Sequence, residues 1–209
     1  MSSGYFFLQC TLFPLARKRL TITGEEHIPR SGGFLIVGNH QSYLDPPMVG
    51  LVFIPHIKKK IGFITKTSVA KAFGRFSHYL GMIGIDPENK AESLERSMRW
   101  LEKGNPVCVF PEGRRNYDTE KLTKGKTGAA RLALRSNLPV VPVGIITPGG
   151  KNTAESLRSF FFSRAPLEVH IGQALQFQHT EEVTHELLED TTRTIMQVIS
   201  GLCEKKYPY

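Results

Sequence analysis

The chain is 209 residues long, 40% hydrophobic and 22% charged, and carries 27 Lys/Arg against 19 Asp/Glu for a formal net charge of +8. That length buries one sizeable core, and the composition excludes a disordered or fibrous chain. Three widely spaced cysteines, Cys10, Cys108 and Cys203, exclude a disulfide framework and a cysteine-rich zinc module, and fit a reducing compartment.

The first apolar element is Tyr5-Phe6-Phe7-Leu8 with Leu12, Phe13, Leu15 and Ala16, about a dozen residues against the ~20 needed to span a bilayer. The basic cluster Arg17-Lys18-Arg19 follows the apolar part instead of preceding it, so neither a transmembrane span nor a signal peptide is expected. Residues 1–19 read instead as an amphipathic segment lying in a membrane interface, its cations among anionic head groups. The other reading open to them is an N-terminal helix packed on its own domain. Residues 1–80 hold ten Lys/Arg against three Asp/Glu, and the remainder seventeen against sixteen. The excess charge therefore belongs to the N-terminal part, where Arg17-Lys18-Arg19 and Lys58-Lys59-Lys60 suit a phosphate-bearing surface. No RNA- or DNA-binding module accompanies them, so no nucleic-acid partner is expected.

Beyond residue 20, short β-rich runs alternate with helical ones. Strands are expected at Phe34-Leu35-Ile36-Val37, Ile61-Gly62-Phe63-Ile64, Ile83-Gly84-Ile85, Val107-Cys108-Val109-Phe110, Val140-Val141-Pro142-Val143 and Leu167-Glu168-Val169-His170-Ile171. Helices are expected near 67–80, 90–103, 125–136 and 181–203. In the second of these, Ala91, Leu94, Met98 and Leu101 recur at helical spacing before Gly104 stops the run. Residues 147–163, with Thr147-Pro148-Gly149-Gly150 ahead of Phe160-Phe161-Phe162, read as a loop carrying apolar side chains. The alternation predicts an α/β fold with a mainly parallel central sheet flanked by helices, and in such sheets ligands gather at the carboxyl ends of strands.

Two polar segments directly follow strands. In Asn39-His40-Gln41-Ser42-Tyr43-Leu44-Asp45, a regular helix would set His40 and Asp45 ~140° apart, so they cannot pair on one straight helix. Asp45 precedes Pro46, however, which pushes its backbone away from the α region, and a turn can bring the carboxylate back to the imidazole. A carboxylate on one ring nitrogen fixes the tautomer and makes the other nitrogen a better base. An Asp before Pro and an apolar run is also what an N-cap with proline at N1 looks like, and both roles can hold together. The second segment, Phe110-Pro111-Glu112-Gly113-Arg114-Arg115, sets two fork-shaped guanidiniums after a glycine turn, suited to phosphate oxygens, with Glu112 able to orient one of them. Gly125-Lys126-Thr127 mimics the end of a P-loop, but Glu120 stands where that loop requires glycine.

In order along residues 20–172, these segments resemble the glycerolipid acyltransferase family, whose best-known members are the 1-acylglycerol-3-phosphate acyltransferases. Residues 39–45 match the family's His-four-residues-Asp block, and residues 110–116 its Phe-Pro-Glu-Gly-Thr-Arg-Ser block. Residues 124–133 are similar to its Lys-x-Gly-Ala stretch, and residues 138–144 to its Val-Pro-Val block. The resemblance implies that residues 20–209 are an acyltransferase domain working with the interfacial segment 1–19, peripherally at the cytoplasmic face of a membrane with anionic lipid. The reaction implied moves a fatty acyl group from acyl-CoA or acyl carrier protein to a lysophospholipid, 1-acylglycerol 3-phosphate first, in phospholipid biosynthesis. The thioester is a co-substrate, and no cofactor or metal is expected. His40 and Asp45 become the catalytic pair, and direct attack on the thioester is expected because no G-x-S-x-G elbow is present. Asn39, Lys66, Glu112, Gly113, Arg114 and Arg115 become substrate-binding candidates. Two departures bear on the acceptor: Arg114 stands where the family has Thr, and Pro87 where an Arg usually ends the block resembling residues 81–86. Arg115 then takes the phosphate, with Arg114 and Lys66 replacing the lost charge. Glycerol 3-phosphate, a phosphate-free acceptor and a catalytically inactive anionic-lipid-binding protein stay open as alternatives.

Overall fold

The structure, a computed structural model, describes residues 19–209 except 87, 149–151 and 181. The expected interfacial segment therefore lies outside the described residues apart from Arg19, as do Pro87 and the side chains of Phe160 and Phe161. The elements in chain order are β1 (Leu20–Thr23), β2 (Leu35–Gly38), α1 (Asp45–Ile57), β3 (Gly62–Lys66), α2 (Thr67–Ala72), α3 (Phe76–Tyr79), β4 (Met82–Ile85), α4 (Lys90–Glu102), β5 (Val107–Val109), α5 (Gly128–Ser136), β6 (Val140–Ile146), α6 (Thr153–Phe162), β7 (Leu167–Ile171) and α7 (His185–Leu202). The strands form one sheet in the order β1-β7-β6-β2-β5-β3-β4. All neighbours run parallel except β6 and β7, which are antiparallel.

The sheet is buried on both faces, which is why its central strands are apolar throughout instead of alternating with polar residues. The period of two still divides them. Ile36, Cys108, Val141 and Val143 turn to the face covered by α1, through Met48, Val49, Val52, Phe53 and Ile57. Leu35, Val37, Val107, Val109 and Val140 turn to the other face, under Leu101 of α4, Leu132 and Ala133 of α5, and Ile195, Met196 and Ile199 of α7. Each such side chain contributes about 1.5–3 kcal/mol by leaving water, so the sheet centre is the most firmly held part of the molecule.

Four elements differ from the sequence expectation. Residues 147–163 are not all loop: α6 occupies 153–162, because Asn152 caps it, accepting from the Glu155 N–H at 2.8 Å and donating to the Glu155 carboxylate at 2.8 Å. The helix expected at 67–80 is two short pieces, divided where Gly74 adopts φ +51. β1, which pairs with β7, was not anticipated, and α1 was foreshadowed only by the reading of Asp45 as an N-cap before Pro46. Pro46 and Pro47 sit in the first turn of α1, where a missing N–H leaves no intrahelical bond unmade. Among the described residues, no helix is long and apolar enough to cross a membrane.

β2 lies between β5 and β6, parallel to both. The chain segments leaving the carboxyl ends of these three strands therefore meet on one edge of the sheet. They are residues 39–44, 110–116 and 147–148.

Candidate functional site

On that edge, the loop from β2 to α1 turns back on itself. His40 Nδ1 lies 2.7 Å from Asp45 Oδ2, and the same oxygen accepts the backbone N–H groups of Gln41 at 2.7 Å and Ser42 at 2.8 Å. Two amide donors make Oδ2 an acceptor, so Nδ1 carries the hydrogen of that contact and Nε2 presents a lone pair. Asp45 is the first residue of α1 and not its N-cap, which is Leu44; its carboxylate serves the preceding loop instead of the helix amides. The Asp45 side chain is fully buried while that of His40 is 15% exposed, so the imidazole reaches solvent and the carboxylate does not. Asp45 Oδ1 is buried without a hydrogen-bond partner, so Oδ2 accepts all of the carboxylate's hydrogen bonds. The imidazole stacks on Phe110, centroids 4.5 Å apart and planes at 19°, which fixes the ring plane from the second loop.

That second loop opens with a tight turn. The Gly113 N–H donates to the Phe110 carbonyl at 3.0 Å, with Pro111 and Glu112 at the corner and Gly113 at φ +68. Glu112 is 3% exposed. Its Oε1 accepts the backbone N–H of His40 at 2.9 Å, and its Oε2 accepts the N–H of Thr123 at 3.0 Å and the Thr123 hydroxyl at 2.9 Å. It thus orients neither arginine: a buried carboxylate needs donors close by, and it finds them in the main chain of His40 and in Thr123. The Asn116 N–H donates to the His40 carbonyl at 2.6 Å, so both backbone polar groups of His40 are tied to the 110–116 loop.

Arg115 packs against the His40 loop. Its Cζ lies 3.7 Å from the centroid of the Tyr43 ring, Nη2 donates to the Tyr43 hydroxyl at 3.0 Å, and Nε donates to the Tyr117 hydroxyl at 3.2 Å. Neutral partners hold the guanidinium in place without neutralising it. Gly113 and Arg114 are exposed on the rim of the same turn. Lys66, exposed at the carboxyl end of β3, lies two strands from β2, about 10 Å across the sheet. Asn39, a substrate-binding candidate by sequence, is 1% exposed, and its amide donates to the Ile145 carbonyl at 2.8 Å and accepts from the Ile145 N–H at 2.7 Å. It faces β6 and not solvent. Gln41 likewise reaches the carbonyls of Ile145 and Thr147. Beside it opens a cleft of about 350 Å³ lined in part by Tyr117, Thr147, Arg158 and Lys205; His40, Asp45 and Arg115 do not line it.

Burial, followed by the nearby charge of Asp45, pushes the Cys108 thiol far above its usual range, and burial pushes that of Cys203 up to about 11; neither is a nucleophile. Among the described residues, no three His, Cys, Asp or Glu side chains gather as metal ligands would. Sequence reasoning gave no role to Tyr43, Phe110, Asn116 or Thr123. The first three lie inside the two motifs, and an aromatic residue between His40 and Asp45 was a usable signal. Thr123 had none, because its contact with Glu112 is tertiary.

The profile of the family described as Acyltransferase matches residues 19–146. The chain is 32% identical over 137 residues to a chloroplastic 1-acyl-sn-glycerol-3-phosphate acyltransferase of Arabidopsis thaliana, a match that takes in 63% of this chain. It spans only 37% of the length of that protein. It is 25% identical over 197 residues to the 1-acyl-sn-glycerol-3-phosphate acyltransferase of Bacillus subtilis, covering 90% of each. The crystal structure of the 1-acyl-sn-glycerophosphate (LPA) acyltransferase PlsC from Thermotoga maritima superposes with a TM-score of 0.69 at 21% identity, over 96% of this chain and 78% of that one; the two share a fold.

Proposed function

The chain belongs to the acyltransferase family, and from that premise we propose that it transfers a fatty acyl group from a thioester carrier to the hydroxyl of a lysophospholipid, 1-acylglycerol 3-phosphate. The observation that carries the reading is the 2.7 Å contact between His40 and Asp45, which engages Nδ1 and leaves Nε2 to act as the base. In the reaction, Nε2 takes the proton of the acceptor hydroxyl as its oxygen bonds to the thioester carbonyl carbon. The tetrahedral adduct then collapses, the C–S bond breaks, and the imidazolium returns the proton to the departing sulfur. The products are an ester and a free thiol, and no acyl-enzyme forms. Asp45 stabilises the imidazolium and holds its orientation, and a base so placed is worth ~10²–10⁴-fold.

Arg115 binds the acceptor phosphate through the donors that the tyrosines leave available, and Arg114 and Lys66 add positive charge at longer range. Coenzyme A and acyl carrier protein are both anionic, so the basic N-terminal half suits either as donor. Residues 20–209 form the catalytic domain, and residues 1–19 lie in the interface of a membrane carrying anionic lipid, so that the protein works peripherally at the cytoplasmic face in phospholipid biosynthesis.

The test is purified full-length chain incubated with acyl-CoA and lysophosphatidate, reading free thiol and diacylated product together. Wild type should release thiol in step with product. His40→Ala and Asp45→Asn, folded normally by circular dichroism, should lose at least about 100-fold in turnover. Retained turnover in either variant would dismantle the mechanism. A wild-type chain that binds lysophosphatidate vesicles but releases no thiol is a lipid-binding protein and not a transferase.

A further inference from the structure

Resting on the reading that the acceptor is a membrane lipid, we propose that the α2–α3 segment is a second surface, besides residues 1–19, by which this protein docks on an anionic bilayer. These helices are six and four residues long, and neither contains a buried residue. Helices so short are marginal in water and ordinarily owe their existence to an apolar face packed on the core. Here the large apolar side chains point outward: Val69 is 40% exposed, Phe73 47%, Phe76 72% and Tyr79 52%. All four lie within one eleven-residue segment that bends at Gly74, and the Phe76 and Tyr79 rings sit side by side with centroids 6.5 Å apart. Half of the eight exposed large hydrophobics among the described residues fall within these eleven positions, which is a patch and not the scatter of an ordinary surface.

Charge names the occupant. Residues 46–85 contain no Asp or Glu but six cations, Lys58, Lys59, Lys60, Lys66, Lys71 and Arg75. Lys60 Nζ lies 5.9 Å from the Tyr79 ring centroid, so the cluster adjoins the aromatic patch. Aromatic groups rimmed by lysine and arginine fit the boundary between acyl chains and anionic head groups. A second copy of the chain fits poorly, because two such faces would bring like charges together. Residues 1–18 fit poorly for the same reason, since they too carry cations and no Asp or Glu. Position agrees. α2 begins at the carboxyl end of β3, two strands from the end of β2 that presents His40. Docking through this segment would set the reacting edge of the sheet beside the interface from which a lipid acceptor enters.

The experiment is flotation of the full-length chain with phosphatidylcholine vesicles, with and without phosphatidylglycerol. It compares wild type with Phe73→Ser/Phe76→Ser and with Lys71→Glu/Arg75→Glu, and thermal melting confirms the fold of each. Wild type should bind the anionic vesicles selectively, and each double variant should bind at least about tenfold more weakly. Transfer to a short-chain, water-soluble lysophosphatidate should be unchanged in both variants, and transfer to the vesicle-borne acceptor should fall in parallel with binding. Variants that float like wild type would overturn the proposal. So would vesicle binding lost only on removal of residues 1–18, or a shift from dimer to monomer in the phenylalanine variant without loss of flotation. Loss of flotation in variants of a chain with no transferase activity on either acceptor would leave the docking surface standing and sink the catalytic reading alone.

Discussion

Arg115 is held by uncharged groups, and that decides what it can still do. The Tyr43 ring and the two tyrosine hydroxyls fix the guanidinium plane, while leaving its charge to an incoming anion. A hydrogen bond from a charged donor contributes about 1.5–3 kcal/mol, so Arg115→Ala should raise KM for a phosphate-bearing acceptor about 10- to 100-fold. Arg115→Lys should recover only part of this, since an ammonium neither forks nor lies flat on Tyr43. Kinetics with a phosphate-free monoacylglycerol are the control and should move little in either variant. An unchanged KM for lysophosphatidate in Arg115→Ala would remove the residue from the phosphate site. At this scale the contact between His40 and Asp45 was legible in the sequence, because it is carried by residue type and local spacing. The sequence could not show that Glu112 looks inward, because that depends on where the Thr123 and His40 amides arrive from elsewhere in the chain.

The turn over residues 110–113 is the element that joins the two loops. Gly113 occupies the left-handed region at φ +68, where a side chain costs about 1–2 kcal/mol. A Cβ there would also meet the Lys126 side chain at 2.8 Å, a flexible neighbour that can yield. Gly113→Ala should therefore lower stability by about 1–2 kcal/mol in urea melts and lower turnover as well, since Glu112 and Phe110 hold His40 from this turn. A variant that loses stability but keeps full turnover would separate the turn from the base. Among the elements, the strands of the sheet centre were legible as continuous apolar runs. α1 was obscured because Pro46, Pro47 and Pro55 punctuate it, although the first two sit where a helix tolerates proline. α6 was hidden behind its Pro-Gly-Gly approach, although Asn152 and Glu155 spelled a capping pair. The break at Gly74 and the edge strand β1 depend on tertiary context that no short window contains.

Across the whole molecule, three parallel strands deliver three segments to one edge, and hydrogen bonds between those segments, not any single loop, define the site. The His40 backbone is bound to residues 112 and 116, while Asn39 and Gln41 are bound to the end of β6. Asp45 opens a helix that packs into the hydrophobic interior, with Met48, Val49, Val52 and Phe53 all buried. The Asp45 carboxylate is consequently anchored through that helix to the core. On heating, turnover should persist until the protein melts as a unit, so curves of residual activity and ellipticity against temperature should superimpose; inactivation well below the melting midpoint would mean the site comes apart first. Catalytic output would then serve as a direct gauge of how much of the population is folded.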